Sequence, residues 1–391
     1  MRIIFTTWAW PSHLYAMVPV AWACRTGGHE VLVASPPALA DTAARTGLPV
    51  ASVGHDVDAV AVFRQIASTP SPSPSASPSP SAGGPRPKRG GPRVLGLLAT
   101  LAEAMVDDLI VLARRWGADL IVFEPTAFAG PAAAAVLGIP AVRHLYGVDL
   151  MSAAGDFLRD ALAPLRARLG LDELDVYGAA TVDPCPDGMQ AEAPSPRLPV
   201  RYVPYNGPGA PPVLPPPDGR PRVCVTWGTT LSRLDPAFFL TGQVARAIGD
   251  LDVEPVLAVT PGQRTLLGPL PPGTRVVESA PLHLLLPTCD AVVAHGGAGT
   301  SLTGVAYGLP QLLVTRLPDH VRHAAGLAGA GAGITVEASK AEPRVIRERL
   351  AELLSDPSYR AAAERLRRET HDRPSPDRVV TDIERLVSAA R

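Results

Sequence analysis

The sequence predicts an α/β protein of two domains, each a parallel sheet covered by helices on both faces, that meet across a cleft. Three observations predict it. Strand and helix signals alternate in two separate series, a Pro/Gly-rich stretch at 204–221 divides the series, and strand, glycine turn and helix follow one another directly at 290–308. Alternation of this kind needs crossover helices, which lie on the faces of a parallel sheet. A chain of 391 residues is long enough for two cores of ordinary size.

In chain order, residues 2–7 read as a strand, 14–26 as a helix closed by Gly27-Gly28, and 30–35 as a second strand. Pro-Ser repeats dominate 69–93. That composition cannot bury a core and its prolines remove ladder donors, so it predicts a disordered insertion. Residues 94–117 read as a long helix, 119–123 as a strand, 130–137 as a helix and 139–142 as a strand. Beyond the divide, 222–227, 253–259, 290–294 and 311–314 read as strands and 238–249 as a helix. After a kink at 374–376, Val379, Val380, Ile383, Leu386 and Val387 recur at helical spacing. The expected organisation is a first domain over 1–204, a linker over 205–221, a second domain over 222–373 and a terminal helix over 374–391.

Charge is balanced, 36 Lys+Arg against 37 Asp+Glu for a net −1. It gives no global reason to expect nucleic acid or an anionic membrane as partner. Cys24, Cys185, Cys224 and Cys289 lie far apart with no C-x-x-C pattern, which argues against a disulfide framework or structural zinc and fits a reducing cytoplasm. The N-terminus has no signal-peptide pattern and no apolar run reaches bilayer length. A soluble, cytoplasmic protein is expected, without membrane insertion.

The most informative motif is His295-Gly296-Gly297-Ala298-Gly299-Thr300. A strand end, a glycine turn and a helix N-terminus present backbone N–H groups and the positive end of a helix dipole to an anion. Thr300 adds a hydroxyl, and His295 adds a donor able to carry charge. This arrangement suits a diphosphate held without a metal. Asp56-Val57-Asp58 has the D-x-D form of metal-binding sites, but reads as exposed loop or helix start. His320 and His323, spaced i, i+3, supply two metal-type ligands and no third.

With Pro310-Gln311 and Asp319-His320 downstream, the His295–Thr300 motif resembles the donor signature of GT-B nucleotide-sugar glycosyltransferases. The nearest resemblance is to bacterial enzymes that attach deoxysugars to macrolides, polyketides and related natural products. It runs from Ser12-His13-Leu14 to Gly331-Ala332-Gly333-Ile334. It implies two Rossmann-like domains facing across a cleft, a terminal helix that returns to the first domain, and a nucleoside-diphosphate sugar, TDP- or UDP-linked, as co-substrate with no metal or other cofactor. The implied reaction is inverting transfer to an aglycone hydroxyl in antibiotic biosynthesis. The resemblance also leaves room for a helper protein and for a homodimer. In these enzymes, loops in the first half cover the acceptor pocket.

Inversion needs one base to take the acceptor proton, and histidine side chains in general titrate near neutrality. The resemblance places His13 as that base, with Glu124 as the carboxylate that orients it. Thr229 or Thr230, beside Gly228 at a strand end, would reach the diphosphate with His295, Gly297, Gly299 and Thr300. Backbone near Ala280 and Leu282 would grip the base of the nucleotide, at a place where many relatives carry a stacking aromatic instead of Ser279. Asp319 and His320 would bind sugar hydroxyls; His320 stands where many relatives have glutamine, a departure compatible with a deoxysugar. Trp8, Trp10, Tyr15, Met17 and Phe128, with His144 and Tyr146 after a strand, are expected to line an apolar acceptor pocket. Two rivals remain at this level: a nucleotide-sugar epimerase of the same architecture, and a donor-binding accessory protein without turnover.

Overall fold

The structure, a computed structural model, describes residues 1–68, 93–190 and 195–389. The insertion expected at 69–93 lies, apart from Arg93, outside the described residues. Seven parallel strands form the first sheet: β1 (Arg2–Thr6), β2 (Glu30–Ser35), β3 (Val50–Ser52), β4 (Leu120–Phe123), β5 (Ala141–His144), β6 (Ala180–Asp183) and β7 (Arg197–Pro199). Their order is β3-β2-β1-β4-β5-β6-β7. Six parallel strands form the second: β8 (Arg222–Thr226), β9 (Glu254–Val259), β10 (Arg275–Glu278), β11 (Ala291–Ala294), β12 (Gln311–Thr315) and β13 (Gly333–Glu337). Their order is β10-β9-β8-β11-β12-β13.

Each central strand is buried on both sides because its residues are apolar on both sides. Ile4 packs with Phe123 and the helix Arg93–Trp116 on one face, and Ile3 and Phe5 pack with Leu14, Met17 and Val18 on the other. In both sheets the chain order reverses between two neighbours, β1 and β4 in the first, β8 and β11 in the second. Such switch points open a crevice beyond the strands' carboxyl ends, where ligands of open α/β sheets bind. The residues after β1 and β4 include His13 and Glu124. Those after β8 and β11 include Thr229, Thr230 and His295.

The terminal helix Pro376–Ala389 puts Val379, Val380, Ile383 and Val387 into the core formed by the helix Pro11–Thr26 and the first sheet. The last element of the chain thus packs on the half that the chain builds first. Among the described residues, no helix is long and apolar enough to cross a membrane.

Local chemistry moves several expected boundaries. The first helix begins at Pro11, not at residue 14, because proline is well suited to the first helical position, where its missing N–H costs nothing. His13 therefore sits in the helix's first turn rather than in the loop before it. β5 begins at Ala141, after Pro140, which has no N–H to give the ladder. The helix expected over 238–249 covers only Thr241–Ile248; Pro236–Phe238 form a 3₁₀ turn closed by Asp235, whose carboxylate accepts from Ala237 N at 2.8 Å.

Candidate active site

Glu124, at the end of β4, is 0% exposed. An ionised carboxylate so placed needs donors. Thr126 supplies two: its backbone N–H donates to Oε2 at 2.8 Å, and its hydroxyl lies 2.7–2.8 Å from both oxygens. His13 Nδ1 lies 3.4 Å from Oε2 and 3.5 Å from the Thr126 hydroxyl. Trp8 Nε1 donates to the Thr126 hydroxyl at 2.9 Å, which fixes the rotor that Glu124 depends on. With Nδ1 turned toward Glu124 and Thr126, Nε2 of His13 is the ring nitrogen on the opposite side. The ring is held by Tyr146, stacked at 4.1 Å and 13°, and by Trp8, edge-on at 5.5 Å and 89°. Burial, with the charges of Glu124, Asp319 and Asp149, pushes the Tyr146 phenol well above its ordinary range, so it stays neutral.

In the second sheet, β11 ends at Ala294 and the helix Ala298–Ala306 starts three residues after His295. Gly296 has φ +90° and Gly297 is the N-cap, without any side-chain cap. A methyl group on Gly297 would overlap the His295 ring, and one on Gly228, itself at φ +57°, would stand 2.7 Å from His295 Cε1. The two turns, after β8 and after β11, therefore close on one imidazole through glycines. Gln263 fastens the first of them, donating to Gly228 O at 2.5 Å and to Ser232 Oγ at 3.0 Å. Thr229 is exposed and Thr230 half-buried beside it; Thr230 precedes the helix Leu231–Leu234 but makes no capping bond.

Three buried imidazoles meet here. The His320 ring stands edge-on to His295 at 4.8 Å, and His323 Nδ1 donates to Gly296 O at 3.1 Å. Nδ1 of His295, Nδ1 of His320 and Nε2 of His323 have no hydrogen-bond partner among the described residues. Burial lowers the pKa of all three, most strongly for His295, which also feels His320 and His323. Buried polar atoms without a partner are uncommon and call for an explanation. Asp319 Oδ2 is 3.8 Å from His320 Nε2.

Ala280 and Leu282 are half-buried on either side of Pro281. Ser279 before them has φ +56°, the one non-glycine residue with positive φ among those described. Left-handed backbone at a serine is strained, and such strain collects at functional sites. Asn206 ties the connecting segment to this region: its Oδ1 accepts from His283 N at 2.9 Å, and its side-chain amide donates to Thr303 Oγ1 at 3.1 Å.

The expected acceptor wall is corrected in part. Met17 is 1% exposed and packs between its helix and the sheet, with Ile3, Phe5 and Val379. Phe128, Trp8 and Trp10 are buried in the opposite core with Leu98 and Leu101. Large apolar side chains gain most from full burial, and these four present almost no surface to a ligand. Tyr15 faces the connecting segment, edge-on to Tyr205 at 5.4 Å. His144 belongs to β5 itself and is buried, with Nδ1 on Leu145 O at 2.8 Å. Tyr146 reaches the cleft, as the stacking partner of His13. Asp56 and Asp58 serve the backbone, accepting from Ala38 N and Ala61 N, both at 2.9 Å.

Sequence reasoning missed Thr126, Gln263 and Gly147. Thr126 was legible in principle, two residues past a strand-end carboxylate. Gln263 forms a capping box with Thr260, a T-x-x-Q pattern the sequence displays. Gly147 carries no local signal; its role comes from the other domain.

The erythromycin biosynthesis protein CIII-like family matches with its N-terminal domain over residues 22–228 and with its C-terminal domain over 242–386. The chain is 37% identical to a 10-deoxymethynolide desosaminyltransferase of Streptomyces venezuelae, over 100% of this chain and 98% of that protein. It is 35% identical to an aclacinomycin-T 2-deoxy-L-fucose transferase of Streptomyces galilaeus, over 100% and 97%. The crystal structure of glycosyltransferase VinC in complex with dTDP superposes with a TM-score of 0.81 at 32% identity, covering both chains fully.

Two outcomes follow from the imidazoles. Calorimetric titration of TDP without divalent metal should show binding that His295→Ala weakens by about 10- to 100-fold, the worth of a hydrogen bond to a charged group; equal affinity in the variant would remove His295 from the site. The second concerns pH. Burial lowers His144 to about 4 and depresses the three cleft histidines in the same direction. Unfolded, each ring takes a proton below about pH 6.5, whereas folded it refuses one. Stability should therefore be full above that pH and fall below it, by up to about 1.4 kcal/mol per pH unit per ring. Denaturation midpoints at pH 7.5, 6 and 5 read the slope, which should flatten in His144→Asn; an unchanged slope there contradicts the assignment.

Proposed function

The chain belongs to the erythromycin biosynthesis protein CIII-like family and is a glycosyltransferase of GT-B fold, and from that premise we propose that it moves a deoxysugar from TDP to a hydroxyl of a macrolide or polyketide aglycone, with inversion and without a metal. The observation that carries this reading is the placement of two complementary sites at the two switch points: a carboxylate-held imidazole on one sheet, a glycine turn with unpartnered imidazoles on the other.

Glu124 orients His13 through Nδ1, and Nε2 removes the proton of the acceptor hydroxyl as its oxygen attacks the anomeric carbon. The bond from that carbon to the diphosphate oxygen breaks on the opposite face, so the configuration inverts. Negative charge grows on the departing TDP. Backbone N–H groups at the start of Ala298–Ala306, the Thr300 hydroxyl and the His295 ring stabilise it, and Thr229 and Thr230 approach from the other turn. Asp319 and His320 take the sugar hydroxyls, and backbone at Ala280 and Leu282 takes the thymine. These groups supply leaving-group stabilisation without a Lewis acid. All four cysteines are free and buried, which supports a cytoplasmic setting. A helper protein or a second copy would act outside this chemistry, on the acceptor half's readiness.

The test is transfer by the purified chain, alone, with a TDP-deoxysugar and a macrolactone or polyketide aglycone in the presence of a chelator. The expected products are free TDP and a glycoside whose anomeric configuration, read by NMR, is opposite to the donor's. A donor sugar altered without any acceptor would instead identify an epimerase. Bound TDP-sugar with no turnover, alone or with a helper, would identify an accessory subunit.

A further inference from the structure

The loop after β5 touches both halves of the cleft. Tyr146 stacks on the His13 ring, and the next residue, Gly147, lies against the donor domain. A methyl group on Gly147 would stand 2.7 Å from His323 Nε2 and 2.8 Å from Ala298 Cβ, closer than carbon atoms pack. Only a glycine allows this approach to the first residue of the helix that bears the anion turn.

The loop is rigid on its own side. Arg143 and Asp149, both fully buried, pair at 2.7 Å across its base. Asp149 N donates to Gln190 Oε1 at 2.8 Å, and Gln190 in turn donates to Gly147 O at 3.4 Å and to Asp183. A second bridge reaches the other face of the same imidazole. Trp8, edge-on to His13, packs on Trp10 at 4.8 Å, and Trp10 lies 5.2 Å under the guanidinium of Arg233 from the donor domain. Arg64 of the acceptor domain donates to Leu234 O at 3.0 Å and to Arg233 O, holding that second contact shut.

We propose that Tyr146 and Gly147 are positioning residues that couple the seating of the donor domain to the orientation of the His13 ring. The proposal rests on the reading of His13 as base. Gly147 is the stop against which the donor domain seats, and Tyr146, one residue away, transmits the loop's position to the imidazole by stacking. Nε2 is thereby held toward the cleft while the donor domain is seated against Gly147.

The test compares Tyr146→Phe, Tyr146→Leu, Gly147→Ala and His13→Ala in the full chain at saturating donor, reading kcat, aglycone KM and TDP affinity. Tyr146→Leu and Gly147→Ala should each lose about 100-fold in kcat, the cost of a misplacement near 1 Å, with aglycone KM little changed. Tyr146→Phe keeps the stacked ring and should recover kcat to within about threefold of the parent. Aglycone KM rising in Tyr146→Leu with kcat kept would make Tyr146 a pocket wall and overturn the proposal. So would parental kcat in Gly147→Ala, or Tyr146→Phe falling as far as Tyr146→Leu. Parental kcat in His13→Ala would instead remove the base reading beneath it. If Gly147→Ala lowers Tm, Tyr146→Leu, which leaves the backbone untouched, carries the test.

Discussion

Glu124 is a fully buried carboxylate, and the acceptor side of the cleft is organised around the groups that face it. A polar group buried there without partners would be costly, and Thr126 donates twice, with His13 Nδ1 3.4 Å away. Trp8 secures Thr126, and Trp8 with Tyr146 confines the His13 ring. These contacts together fix the direction of the imidazole that faces the cleft. The donor side works by the opposite rule. There each of three buried imidazoles keeps one nitrogen without a partner among the described residues, beside a helix N-terminus without a side-chain cap, and the proposed occupant is the diphosphate.

These two conditions meet because both sheets reverse order at the strands that carry them, and because the last helix returns to the first domain. The contacts that join the halves include Gly147 on His323 and Ala298, Arg233 over Trp10, Arg64 on the carbonyls of Arg233 and Leu234, and a buried cluster in which Val148, Cys185, Met189 and Tyr202 pack with Cys224, Leu302 and Leu327.

Much of this was legible in the sequence wherever local physics decides the outcome. An apolar run, three glycines and a helical pattern in succession gave the strand, turn and helix at 291–306. Alternating strand and helix patterns gave the two α/β halves, and apolar spacing at Val379–Val387 gave the final helix. What stayed hidden depends on the partner surface. Aromatic and apolar residues near a cleft read alike whether they line it or pack behind it, and Met17 and Phe128 pack behind it. Pro11 hid the true start of the first helix, and with it the turn that presents His13. Gly147 looks like any loop glycine until the other domain is in view.

The central claim is a division of labour, with proton removal from one domain and diphosphate binding from the other. It is tested most directly by single-turnover transfer in His13→Ala, with TDP affinity measured on the same preparation. The expected transfer rate is lower by about 100- to 10,000-fold, the usual worth of a positioned base, with TDP affinity retained. Transfer at the parental rate, or a loss of TDP affinity that accounts for the slower rate, would contradict it.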